Sequence, residues 1–200
     1  MNDNSSTRTL ILSAAARLFA ADGYDAVSMR DVAAEVSMTP ANIYYHFKDK
    51  DALIRETLVH VLSAPAPSLE TILATTQAPL EVIDAFIDSF VHTMFEDRIF
   101  SKLVLRELLD GDVDRLKYVA ETVVNHPFSV VARAVADCGG GGDPVLMTVS
   151  IIGMIIGHFQ MAAMICYAPG GTPEHADPRV VSRHISTLVR SALKAWGSAD

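Results

Sequence analysis

The chain has 200 residues, 50% of them apolar and 20% charged, a balance that excludes a disordered protein and allows a sizeable core to be buried without disulfides. Sixteen Lys and Arg against 24 Asp and Glu give a net charge of −8, and the summed field of so acidic a chain argues against a polyanionic partner such as nucleic acid. Cys138 and Cys166 stand far apart, which excludes a dithiol or cysteine metal motif and points to a reducing, cytoplasmic setting. The opening MNDNSSTRTL has no basic stretch followed by an apolar run, so neither a secretory signal nor an anchor is expected there.

Apolar residues recur at helical spacing in nearly every segment, and strict alternation over a strand's length is hard to find, so an all-α fold is expected. The first helix starts in the Asn4 to Thr7 cluster, buries Leu10, Ile11, Ala14, Leu18 and Phe19, and stops at Gly23, a residue suited to a left-handed C′ position. Ser28 caps a short second helix, with Asp31 completing a variant capping box and Val32, Ala33 and Val36 on its apolar face. Ser37 and Met38 break that pattern, and Thr39 followed by Pro40 restarts it as an N-cap and first-turn proline. The third helix ends near Phe47, and Asp49 caps a fourth that runs through Leu53, Leu58, Val61 and Leu62. The run Ser63 to Pro67 then breaks the chain and sets the expected boundary between domains at 1–62 and 63–200. Further helices are expected at about 68–76, 79–95, 97–109, 113–136 (kinked or split near Pro127), 144–167 and 177–196.

Taking Ile43 as the inward direction, Phe47 shares its side, while Ala41, Asn42, Tyr44, Tyr45 and Lys48 occupy the opposite arc. Two phenols on a solvent-facing arc suit a surface made to be covered. Between Glu35 and Asp49 there is no acidic residue, whereas hydroxyls, an amide, an imidazole and Lys48 are available to phosphate oxygens and base edges. Two brief helices at a tight turn, with backbone donors at Ser28 and Thr39, meet the requirements of a helix-turn-helix reader.

The stretch SMRDVAAEVSMTPANIYYHFKDKDAL, residues 28–53, preceded by Ile11 to Gly23, resembles the TetR family of transcriptional regulators. The resemblance rests on Ala33, Ile43, Tyr44, His46, Phe47, Lys50 and Leu53 at these intervals and covers about residues 8–62. Ser37 and Ala41 depart from it, standing where the family often has glycine. It implies that Thr39, Pro40, Asn42, Tyr44 and Tyr45 face the major groove, that Tyr44, His46 and Lys50 meet phosphates, and that Ser28 sits on the backbone. Residue by residue, other readings stay open: His46 capping a helix end, Tyr44 lying over the first helix, Lys48 and Lys50 as solvated lysines beside Asp49 and Asp51.

The resemblance further implies an N-terminal three-helix DNA-binding domain and a C-terminal helical ligand-binding and dimerisation domain, acting as a repressor on an inverted-repeat DNA operator and released by a small effector. Independently, Met147, Met154 and Met161 recur every seven residues beside Ile151, His158 and Ile165, and Gly153 and Gly157 permit close helix approach. With Val181, Ile185, Leu188, Ala192 and Trp196 on the last helix, these suit a four-helix interface in a homodimer, or packing inside one chain. Met94, Phe95, Ile99, Leu103 and Tyr118 are candidates for a pocket wall. Arg106, His126 and His158 are candidates to orient a polar group there, the alternatives being an ion pair, a kink cap or a satisfied core histidine.

No GxSxG, HExxH, Walker loop or dinucleotide fingerprint is present, His92, His126 and His158 are too scattered for a metal site, and Glu107 and Asp110 read as ordinary helix-end charges. Neither catalysis, metal nor cofactor is expected. The rival readings are a small-molecule-binding or catalytic helical protein without DNA binding, and a helical protein anchored in a membrane through 145–168. From Pro144 to Pro173 there is no charged side chain, but His158 and Gln160 sit mid-span and the flanking charges are acidic, which favours a helix buried on all sides over one in lipid. The net charge divides as −2 over residues 1–62 and −6 over 63–200, so most of the acidity lies away from the candidate reading stretch.

Overall fold

The computed structural model describes residues 2–63, 76, 78–110, 112–139 and 142–196, and among these the chain is helical with no strand. The helices are α1 (Asn2–Asp22), α2 (Met29–Glu35), α3 (Pro40–His46), α4 (Lys50–Leu62), α5 (Pro79–Glu96), α6 (Arg98–Asp110), α7 (Val113–Val119), α8 (Asn125–Asp137), α9 (Pro144–Ile165) and α10 (Pro178–Trp196). A π segment, Ala120–Val124, joins α7 to α8, and a 3₁₀ turn, Pro173–Ala176, precedes α10. Most of the helix expected at 68–76 and most of the expected breaker at 63–67 lie outside the described residues.

Two compact units are present, one formed by Met1–Ala64 and Arg98–Val124, the other by Pro65–Asp97 and Asn125–Asp200. In the first, α1 packs on α2, α4 and α6, and α4 packs on α6 and α7. Its core holds Ile11, Ala15, Phe19, Val32, Ile43, Phe47, Leu53, Leu58 and Leu103. By packing, Arg98–Val124 thus group with the N-terminal helices, because Leu103, Glu107 and Val119 are buried within that unit. In the second, α5 packs on α8, α9 and α10 around Ile83, Ile87, Val91, Met94, Val131, Ile151, Ile155, Ile185 and Val189.

Three expectations need correction. Helix α1 begins at Asn2, ahead of the Asn4 to Thr7 cluster, because hydroxyls inside a helix can bond back one turn, as the Thr9 hydroxyl does to the Ser5 carbonyl at 3.0 Å. Leu10 is exposed, since the buried arc of α1 centres on Ala15 and Phe19 and Leu10 points away from it. Helix α9 is not buried on all sides within the chain: Met147, Thr148, Ile151 and Ile155 face the core, while Val145, Leu146, Val149, Met161 and Met164 are exposed. Part of the methionine stripe, with Val181 and Ile185 of α10, therefore packs inside one chain. By length and composition α9 is the one helix among the described residues that could cross a membrane.

The kink expected near Pro127 takes the form of the π segment just before it. Proline has no N–H for the carbonyl four residues back, and its ring crowds that carbonyl, so the ladder changes register upstream.

Candidate nucleic-acid interface

Local chemistry sets both short helices. The Ser28 N–H donates to Asp31 Oδ2 at 2.8 Å, and the Asp31 N–H returns a bond to Ser28 Oγ at 3.3 Å, closing the capping box. Hydrogen bonds from the Ser28 hydroxyl, then from its backbone, hold the Asp31 carboxyl below the usual carboxylate range. Helix α2 ends in a Schellman motif: Met38 N–H reaches the Ala33 carbonyl at 2.8 Å and Ser37 N–H the Ala34 carbonyl at 3.1 Å. That closure places Ser37 at φ +54°, the left-handed region where glycine is at ease. Ser37→Gly is therefore expected to raise the unfolding free energy by about 0.5–1 kcal/mol, the left-handed penalty less glycine's entropy. Urea denaturation followed by circular dichroism checks it; a loss of stability would contradict the strain.

At the start of α3, Thr39 Oγ1 accepts from the Asn42 N–H at 3.3 Å and donates to Asn42 Oδ1 at 3.1 Å. The acceptor end of the Asn42 amide is thereby engaged, and its two N–H donors are left for an acceptor outside the protein. Ile43 and Phe47 are buried, whereas Tyr44 is 54% and Tyr45 80% exposed beside exposed Thr39, Pro40, Ala41, Asn42 and Lys48. A helix seven residues long thus presents two phenols, an amide, a hydroxyl and no carboxylate on one open face.

The neighbouring candidates are more constrained. His46 is half-buried, its ring 5.2 Å from that of Tyr45 and 6.4 Å from that of Phe47. Lys50 donates to the Asp25 carbonyl at 3.3 Å, so one of its three ammonium protons ties α4 to the loop after α1. Ser28 is exposed at the start of α2.

A family model, that of bacterial regulatory proteins of the tetR family, matches residues 11–57, a span that contains α2, the turn and α3. The helix-turn-helix is similar to that of the tetR family. The chain is 32% identical over 108 residues to the HTH-type transcriptional regulator UidR of Escherichia coli K12, covering 52% of each. It is 34% identical over 86 residues to the HTH-type transcriptional repressor KstR2 of Mycolicibacterium smegmatis, covering 42% of each. The chain spans about half the length of the curated relatives it matches. A transcriptional regulator from Saccharomonospora viridis, solved in complex with choline, shares the fold with a TM-score of 0.72 at 19% identity, over 93% of this chain and 96% of that one.

The pocket candidates divide between the units. Met94, Phe95, His126 and His158 belong to the second, and Ile99, Leu103, Arg106 and Tyr118 to the first. Met94 and Leu103 are fully buried, Tyr118 and His126 exposed, and Ile99 half-buried. Phe95 meets Phe159 edge to face at 5.4 Å. His158 Nδ1 donates to the Met154 carbonyl at 2.8 Å, and its ring lies 5.6 Å from that of His184. Arg106 lies 5.9 Å from the Tyr24 ring, and its Nε is buried without a hydrogen-bond partner among the described residues. No group of three or more metal-ligating side chains occurs among the described residues.

Two features were missed by sequence reasoning. Glu107 is no ordinary helix-end charge: it is 4% exposed and accepts from Arg115 Nε at 2.8 and 2.9 Å, while the Arg115 guanidinium stacks on Tyr24 at 4.7 Å. Burial, and then the nearby Glu107 charge, push the Tyr24 phenol above its ordinary value. Arg8 was not singled out either, though it bridges α1, α3 and α4. The only signal for it was a basic residue one turn ahead of the apolar stripe of α1, which is too common to be read as a site.

Proposed function

We propose that the chain is a ligand-responsive transcriptional repressor acting in the cytoplasm, without catalysis. It binds a palindromic operator as a homodimer and is released by a small, largely apolar effector. DNA reading is assigned to residues 1–62, and ligand reception and dimerisation to 63–200. Tyr44 at 54% and Tyr45 at 80% exposure on the acid-free face of a capped helix are the observation that carries the reading. Thr39, Pro40, Asn42, Tyr44 and Tyr45 are assigned to the major groove, Tyr44, His46 and Lys50 to phosphates, and Ser28 to the backbone at the start of α2.

A two-fold dimer presents two such helices to successive major-groove faces, which is why an inverted repeat is expected. The exposed apolar residues of α9 support a second copy as what covers that helix. Effector contacts are proposed within the second unit, among Met94, Phe95, His126 and His158. An effector that binds better to a state with a different spacing of the two recognition helices would lower DNA affinity by its differential affinity for the two states.

Tyr45→Ala is expected to weaken binding to DNA from upstream of the protein's own gene by roughly 10-fold, the worth of one lost base-edge or phosphate contact. Helix content and sedimentation should be unchanged. Affinity should fall only gently with salt, since few cations lie near the reading face and each phosphate neutralised contributes a slope of about −0.9. Gel-shift titration across a salt series measures both, and an unaltered affinity for Tyr45→Ala would remove the assigned face.

A further inference from the structure

We infer that Arg8 is a positioning residue for the recognition helix, acting on DNA selectivity without touching DNA; the inference rests on the DNA-reading assignment to α3. From α1, its Nη1 donates to the carbonyl of His46, the last residue of α3, at 3.2 Å. Its Nη2 donates to Glu56 of α4, and its guanidinium lies over the Phe47 ring at 4.6 Å. One side chain thus contacts the end of α3, the buried ring that follows it and the next helix.

The geometry gives each contact a purpose. A helix of seven residues is far below the length that holds itself together in water, so packing must fix its direction. Ile43 and Phe47 set its inward side, but two apolar contacts leave a helix free to tilt and roll about them. The last carbonyls of a helix lack intrahelical donors and carry the negative end of its dipole. A guanidinium supplies a directional bond there and a matching charge, and its planar fork holds a second acceptor at a fixed angle. Glu56 engages the other arm of that fork, so Arg8 is held as part of the scaffold under α3 instead of being offered to phosphate.

The test uses the full chain and a duplex selected by the wild-type protein from a random pool, with an unrelated duplex of equal length as control. Arg8→Ala is expected to weaken binding to the selected duplex roughly 10-fold, about the worth of one charge-assisted hydrogen bond, and to leave the control duplex and the salt slope unchanged. Arg8→Lys, which keeps the charge but not the fork, should recover part of the loss. Glu56→Gln, a milder change that leaves Arg8 in place, should lose about 2- to 3-fold on the selected duplex alone. Equal loss on both duplexes with a slope shallower by about one would overturn the inference in favour of a direct phosphate contact. A loss that follows the unfolded fraction seen by circular dichroism would overturn it in favour of a folding role, as would unchanged affinity on the selected duplex. If the wild type selects no duplex, the DNA-reading assignment falls and this inference with it; if it does and Arg8→Ala matches it, only the inference falls.

Discussion

Glu107→Ala is expected to lower the unfolding free energy by roughly 3–5 kcal/mol, the cost of leaving one member of a buried ion pair without its partner. Glu107 is 4% exposed, the Arg115 side chain is 15% exposed, and both carboxylate oxygens accept from Arg115 Nε. Removing the carboxylate strands a guanidinium whose other partners among the described residues are the Tyr24 ring and, at 4.0 Å, Asp112. Replacing both partners by apolar side chains, Glu107→Leu with Arg115→Met, should recover most of the loss, because no charge is then left in the apolar interior. Urea denaturation at pH 7 measures all three proteins. A cost below about 1 kcal/mol for the single variant would place the pair with ordinary solvent-screened salt bridges.

The same cluster gives a pH dependence of known sign. The Tyr24 phenol is held neutral above its ordinary value of 10.0, so its contribution is fully present below that value and is lost as pH rises beyond it. Stability should therefore fall on the alkaline side. Tyr24→Phe, which removes the titrating phenol, should flatten that fall.

Gly153→Glu is expected to convert the proposed dimer to a monomer and to lower DNA affinity by about 10²- to 10⁴-fold, the factor by which two linked half-sites exceed one. A Cβ added at Gly153 or Gly157 meets nothing within 4 Å among the described residues, so a side chain can leave the backbone there without a clash. Glutamate is also the better helix former by roughly 0.5–1 kcal/mol. In the proposed dimer that carboxylate would lie in an apolar face with Val145, Leu146, Val149 and Met164, buried without a partner. Sedimentation without detergent and gel-shift titration read the two effects. A dimer that survives Gly153→Glu would move the interface elsewhere, and wild-type protein that pellets without detergent would favour lipid as the cover of α9.

Legibility in the sequence followed the range of the interactions involved. The caps at Ser28, Thr39 and Asp49, the stop at Gly23 and the break at Ser37 each depend on atoms within five residues of one another, and each was readable. The outward placement of Tyr44 and Tyr45 was likewise readable once Ile43 was taken as inward, because helical geometry fixes the rest. Leu10 was misplaced because an apolar stripe gives an arc and not its centre. Glu107 was misread because its spacing from Arg106 and Asp110 says nothing of what lies above it.

By itself, then, the sequence determined an all-helical chain with a capped helix-turn-helix and an acid-free exposed face, since caps, turns and helical periodicity are local. Only the tertiary structure decided that Arg8 reaches the end of α3, 38 residues away, that Glu107 is buried against Arg115, and that α9 keeps one apolar side open. Those outcomes depend on which helices meet and at what angle. That is settled by the packing of buried side chains from distant parts of the chain, which no local spacing encodes.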